Sequence, residues 1–228
     1  MSALGKLNFT ETSKQFWVGN TLAVVELANT GLDKVHGGGL SCRMGKVILY
    51  SGKWLAFGEV DAINSQGVPY KWEFATRTGT TNGAVCILAI KRQPQASIIL
   101  VKQFRPPIEA EIIELPAGLV EHGQTREEAA LKELREETGY VGEIMSVGPH
   151  IFNTPGITDE HVSCVTVEVG EQFEQQTEVD EAIEVIELPI AGLKETLCTL
   201  EASGLRIDAK LWCFAAGLEL SAVARLGD

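Results

Sequence analysis

Residues 125–139 constrain this chain more than any other segment. Thr125 and Glu128 stand at the spacing of a capping box, and Gly139 stands where a left-handed C-terminal cap belongs. The sequence therefore predicts a short helix over Arg126–Thr138 with both ends fixed. Projected at about 3.6 residues per turn, Glu133, Glu136 and Glu137 fall within one arc of roughly 100°. Ala129 lies on the same arc and is small, which leaves space above the carboxylates. Ala130, Leu131 and Leu134 form a separate apolar face, and Glu128, Lys132 and Arg135 a third, mixed face.

Stacking three carboxylates on one helix raises the energy through like-charge repulsion. A hard divalent cation offsets this, and Mg²⁺ suits a site of carboxylates, water and substrate phosphate. Taken alone, the three glutamates also fit a solvated acidic face with Lys132 relieving Glu136 at i,i+4. The glycines at both ends, Gly118 and Gly139, and a strand before the helix favour the metal-bearing reading.

The rest of the chain is consistent with one large domain, or a catalytic domain with a small accessory one, within 228 residues. A formal net charge of −12 argues against nucleic-acid and anionic-membrane partners. A small anionic ligand would need a local cationic pocket or a metal. The five cysteines are scattered, with no C-x-x-C pair, and read as reduced, mostly buried thiols. No apolar run reaches transmembrane length, and the first residues lack a signal-peptide core, so the expectation is a cytoplasmic protein.

Residues 1–45 give no clear pattern. From residue 46 the texture turns to strands: 47–63 alternates, 64–67 reads as a turn and 68–77 as the returning strand. Residues 78–83 look like a linker, which places a boundary near residue 80. Strands are predicted at 84–90, 97–101, 111–115, 145–152, 161–169 and 182–188, and helices at 191–202 and 208–224. Strands on both sides of a central helix, with helices at the end, predict a mixed α/β (α+β) fold. Trp17 and Trp212 read as core, and His36, His122, His150 and His161 show no ligand spacing.

Gly118, Glu133, Leu134, Glu136, Glu137, Gly139 and Tyr140 fall on the spacing of the Nudix box, and from about residue 46 onward the chain resembles the Nudix hydrolases. Two positions depart from the pattern: Gln124 stands where a Glu is usual, and Lys132 where Arg is usual. Gln103-Phe104-Arg105-Pro106-Pro107, Glu114-Leu115-Pro116-Ala117-Gly118 and the run from Thr154 through Pro155 to Glu160 resemble the ADP-ribose pyrophosphatase branch. The resemblance implies a Nudix fold, a mixed sheet between helices preceded by a β-rich dimerisation region. It divides the chain into an N-terminal extension (1–45), a dimerisation and adenine-binding region (46–80) and a catalytic domain (81–228).

That resemblance also implies the site. Glu133 and Glu137 would bind the metal, with Glu136 and the backbone carbonyl of Ala117, and Mg²⁺, with Mn²⁺ as substitute, would assist attack of water on the diphosphate. Glu136 and a loop glutamate would be catalytic; Glu181 is the register match, with Glu178 and Glu184 as alternatives. Arg105 would clamp phosphate with its forked guanidinium. Trp54 and Trp72 would stack on adenine from different subunits of a homodimer, with Glu73 at the base edge and Arg77 on substrate oxygens. Leu119 and Thr154, within the matched motifs, are further expected substrate contacts. The expected activity is hydrolysis of ADP-ribose, or a close ADP-sugar, to AMP and ribose 5-phosphate. Other nucleoside diphosphate sugars remain open as substrates. So does a non-catalytic nucleotide sensor, which the departures at Gln124 and Lys132 motivate.

Overall fold

The computed structural model describes residues 13–18, 21–26, 42–79, 82–177 and 182–224. The chain divides into two compact units, one of residues 1–78 with Gly156–Thr158, the other of 79–155 with 159–228.

The first unit holds a hairpin of β1 (Ser13–Val18) and β2 (Thr21–Glu26), paired antiparallel, in the stretch that gave no sequence pattern. Trp17 lies on β1; its side chain is outside the described residues. The unit also holds an antiparallel meander of β3 (Cys42–Ser51), β4 (Leu55–Ile63) and β5 (Pro69–Arg77). Asn64 builds the turn between β4 and β5: its side-chain oxygen accepts from the amides of Gln66 and Val68 at 2.9 Å each. Ala56, Ile63 and Phe74 are buried, while Val47, Tyr50, Leu55, Phe57 and Trp72 are exposed.

In the second unit the strands β6 (Ala84–Lys91), β7 (Ser97–Arg105), β8 (Ala110–Glu114), β10 (Tyr140–Phe152), β11 (His161–Gln172) and β13 (Arg206–Ile207) run in the order β10-β11-β6-β7-β8-β13. Two further strands attach to this sheet, β9 (Ala117–Leu119) on β6 and β12 (Glu184–Pro189) on β7. β6 and β11 pair in parallel and the other contacts except β8–β13 are antiparallel, so the sheet is mixed as expected.

Strand alternation divides the core between two faces. Val85, Ile87 and Ala89 of β6, Ile99 of β7, and Val165 and Val167 of β11 pack with Ala129, Ala130 and Leu134 of α1 (Arg126–Thr138). Cys86, Ile98, Leu100 and Val162 point the other way, onto Leu193 and Leu197 of α2 (Leu193–Ala202) and Leu211 and Ala215 of α3 (Ala209–Ala224). Helices thus cover both sides of the sheet. Asp208 starts α3, its Oδ1 accepting from the amides of Lys210 at 2.9 Å and Leu211 at 3.2 Å.

Several details differ from the sequence reading. Leu131 is exposed rather than core. The buried arc of α1 runs from Ala129 through Glu137 and Ala130 to Leu134, and Leu131 falls beyond its edge. The carboxylate arc is therefore not separate from the buried face: Glu137 lies inside it. Ala129, expected to border open space, is fully buried. Trp212 is 38% exposed, because α3 turns Leu211 and Ala215 to the sheet instead. Of the described cysteines, Cys86 is buried and Cys164 partly so, but Cys198 and Cys213 are exposed on their helices. Among the described residues, no helix is long and apolar enough to cross a membrane.

Candidate active site

Helix α1 begins and ends where local chemistry dictates. The Thr125 hydroxyl accepts from the Glu128 amide at 3.1 Å, and the Glu128 carboxylate accepts from the Thr125 amide at 2.9 Å. At the other end Gly139 takes φ 73°, a left-handed conformation that suits glycine, and its amide closes on Arg135 O at 2.9 Å. With both ends pinned, α1 presents its glutamates at a set height against the sheet.

Their target is β9. Ala117 pairs with Cys86 and Gly118 with Val85, which holds this short strand on the edge of β6. The Ala117 amide donates to Glu137 Oε2 at 3.0 Å, and Glu137 is only 6% exposed. Gly118 is required by close approach: a Cβ there would overlap Cγ, Cδ and Oε1 of Glu133. Two of the expected glutamates thus converge on adjacent backbone positions of β9.

Glu136 is partly exposed and lies 3.5 Å from Lys132 Nζ. Lys132 makes its shorter contact, 2.8 Å, with Glu121 in the loop before the helix. That hydrogen bond is the main reason the Lys132 ammonium is held above its ordinary pKa. Partial desolvation opposes it, and the charges of Glu136, Glu133 and Glu121 add to it. Gln124 turns inward to the same loop: its Oε1 accepts from the Glu121 backbone N–H, and its backbone N–H donates to Glu121 O, both at 3.1 Å. The two departures from the box pattern are therefore not paired with each other. Gln124 closes the loop, and Lys132 binds Glu121.

Among the described residues, no three His, Cys, Asp or Glu side chains stand together closely enough to hold a metal ion. Glu137 accepts from the Ala117 amide, and Glu136 lies 3.5 Å from Lys132 Nζ, farther than Glu121 does. The donors that do converge fit a hard divalent cation: they are all oxygens, two carboxylates against the backbone of one strand.

The other expected residues are placed as follows. Arg105 ends β7, and its Nε donates to Glu114 Oε2 at 2.8 Å, leaving the two terminal nitrogens of the guanidinium beyond that bond. The chain after it is a 3-10 turn, Pro106–Ile108. Leu119 lies on β9 opposite Ala84, and Thr154 is exposed in the loop after β10. Glu181 and Glu178 lie outside the described residues; Glu184 is on β12 and pairs with Lys102 at 2.6 Å.

In the meander, Trp54 is 66% exposed with Lys53 Nζ 4.4 Å from its ring centroid, and Thr78 N donates to its carbonyl at 3.0 Å. Trp72 is 49% exposed, and its indole N–H donates to Gly156 O at 2.9 Å. Glu73 faces Glu59, and Arg77, exposed at the end of β5, faces Leu55. The ladder sets Leu55 opposite Arg77 and Val60 opposite Trp72. At ~3.3 Å per residue, the two tryptophans of one chain are about 20 Å apart along the strands.

Two contributors had no sequence signal. Glu121 is one. The other is the segment after β11: Gln176 N donates to Glu136 O at 2.9 Å, and the Gln175 side chain donates to Glu137 O at 2.6 Å and Ile183 O at 3.3 Å. The bonds to Glu136 O and Glu137 O satisfy carbonyls at the C-terminal end of α1, where the helix itself supplies no donors.

Comparison with known proteins places the chain in a family. Residues 80–203 match the NUDIX domain. The chain is 35% identical over 178 residues to an ADP-ribose pyrophosphatase of Saccharomyces cerevisiae, covering 73% of this chain and 77% of that protein. It is 35% identical over 184 residues to an ADP-sugar pyrophosphatase of Mus musculus, covering 75% and 84%. A crystal structure of an ADP compounds hydrolase superposes with a TM-score of 0.57 at 17% identity, over 72% of this chain and 85% of that one, a likeness of fold. A glutamate-bearing α1 docked on β9 and the extent of these matches together show that the chain belongs to the Nudix hydrolase family.

Proposed function

We propose that this protein hydrolyses the diphosphate bond of ADP-ribose, or a close ADP-sugar, giving AMP and ribose 5-phosphate. The observation that carries the reading is the convergence of Glu133 and Glu137 on Gly118 and Ala117. Its setting is a chain whose relatives bear the names ADP-ribose pyrophosphatase and ADP-sugar pyrophosphatase.

Nudix hydrolases generally need a divalent cation. In this reading it is Mg²⁺, with Mn²⁺ as substitute, held by Glu133 and Glu137 with Glu136 and the Ala117 carbonyl. When bound it neutralises diphosphate charge and makes water a better nucleophile. The protein's own part is placement. Glu137, tied to the Ala117 amide, has few rotamers to lose, and Gly118 leaves Glu133 room to lie against the backbone. Arg105, steadied through Nε by Glu114, offers its terminal nitrogens to phosphate oxygens. A loop glutamate, Glu181 in the preferred register, would accept the proton of the attacking water, and Glu136 would help place that water. Leu119 and Thr154 line the substrate.

Adenine stacks on Trp54 and Trp72, with Glu73 at the base edge and Arg77 on substrate oxygens. The separation of the two tryptophans along the ladder means one chain does not sandwich a base, which supports a homodimer in which each subunit gives one ring. The exposed apolar side chains Val47, Tyr50, Leu55 and Phe57 support the meander as the dimer surface.

The test is incubation with ADP-ribose and Mg²⁺, with products resolved by chromatography. AMP and ribose 5-phosphate in equal amounts are expected. Binding of ADP-ribose without product would overturn the enzyme reading in favour of a sensor, and faster cleavage of another nucleoside diphosphate sugar would move the specificity.

A further inference from the structure

We propose that Glu121 is a positioning residue that holds Lys132 off Glu136, leaving the Glu136 carboxylate available at the metal-bearing edge of α1. The inference rests on the reading of that edge as a metal site.

Lys132 stands between two carboxylates. Its Nζ is 2.8 Å from Glu121 Oε1 and 3.5 Å from Glu136 Oε2. The ammonium has three donors and reaches both carboxylates, but its short contact is with Glu121, which draws it away from Glu136. On a helix, a lysine followed four residues later by a glutamate is the weaker order of such a pair. Glu121 therefore wins the competition, provided its backbone stays in place.

The loop supplies that restraint. The Glu121 amide donates to Gln124 Oε1 at 3.1 Å. The Glu121 carbonyl accepts from the Gln124 backbone N–H at 3.1 Å and from Asn82 Nδ2 at 3.2 Å. A neutral residue at 124 does not compete for the lysine, whose close ion pair is with Glu121. Without Glu121, Lys132 is free to close on Glu136 and compete there with the cation.

The test is a double-mutant cycle of Glu121→Gln and Lys132→Met, with Glu121→Asp as the conservative variant. Three quantities are read: Mn²⁺ binding without substrate, by paramagnetic resonance; ADP-ribose turnover against Mg²⁺ concentration; and thermal unfolding without metal. Glu121→Gln is expected to weaken Mn²⁺ binding, and to raise the Mg²⁺ needed for half-maximal rate, by about three- to fivefold. The melting temperature should barely move, since the pair is solvent-exposed. Glu121→Asp should recover part of the loss. In the Lys132→Met background, Glu121→Gln should change neither metal quantity. An equal effect in both backgrounds, or no effect in the unaltered background, overturns the proposal. Unaltered protein that binds Mn²⁺ but leaves ADP-ribose intact refutes the substrate reading alone; protein that binds no Mn²⁺ refutes this inference as well.

Discussion

The Ala117 amide and the Glu137 carboxylate are joined by a 3.0 Å hydrogen bond that ties the second half of α1 to the short strand β9. This bond places a nearly buried carboxylate where the diphosphate reading needs one. A glutamine at 137 can still accept that bond, but without charge. Glu137→Gln and Glu133→Gln are each expected to keep the fold and to lose about a thousandfold in turnover, several kcal/mol of charge stabilisation. Circular dichroism and steady-state rates at saturating Mg²⁺ check this; near-normal rates in either variant would remove the metal assignment.

Gly118 separates geometry from stability. An added Cβ would overlap the Glu133 side chain, which is flexible and can turn away. Gly118→Ala is therefore expected to melt close to the unaltered protein while losing about a hundredfold in rate, the scale of an ångström-level misplacement. A rate loss no greater than severalfold would show that Glu133 need not lie against β9.

The capping box makes a prediction about the fold alone. Thr125→Ala removes the hydroxyl that accepts from Glu128 N, at a cost of about 1 kcal/mol. For a chain of this size that lowers the melting temperature by roughly 2–4 °C. Calorimetry checks it; an unchanged midpoint would mean that packing of Leu134 and Ala130 holds the helix start without its cap.

The tryptophans should act on binding more than on chemistry. Stacking far from the scissile bond is similar in ground and transition states, so Trp54→Ala and Trp72→Ala should raise KM more than they lower kcat. The expected rise is about ten- to hundredfold. Trp72→Phe keeps a ring but loses the indole bond to Gly156 O, and should fall between. Mixing Trp54→Ala with Trp72→Ala protein should restore affinity in the fraction of heterodimers with one intact site. If verified heterodimers restore none, the two rings do not meet across subunits.

Much of the fold was legible in the sequence because its determinants are local. Thr125, Glu128 and Gly139 set the ends of α1 from residues a few positions apart, and hydrogen bonds at that range follow from spacing. The unbroken apolar run Val85, Cys86, Ile87, Leu88 and Ala89 likewise fits a strand covered on both faces, whatever covers it. The box spacing put Glu133, Glu136 and Glu137 on one side of that helix.

What tertiary structure decided are the choices of partner. Residues 117–119 become a strand only because β6 has a free edge beside Cys86, and three residues are too few to show a period. Leu131 and Trp212 look like core by composition, but the sheet meets their helices along other lines, so both stay exposed. Lys132 could pair by spacing with Glu136; the loop closed by Gln124 brings Glu121 nearer. For β9, Leu131 and Trp212 the deciding contacts come from segments distant in the chain; for Lys132 they come from a turn 11 residues away whose path the helical spacing does not set.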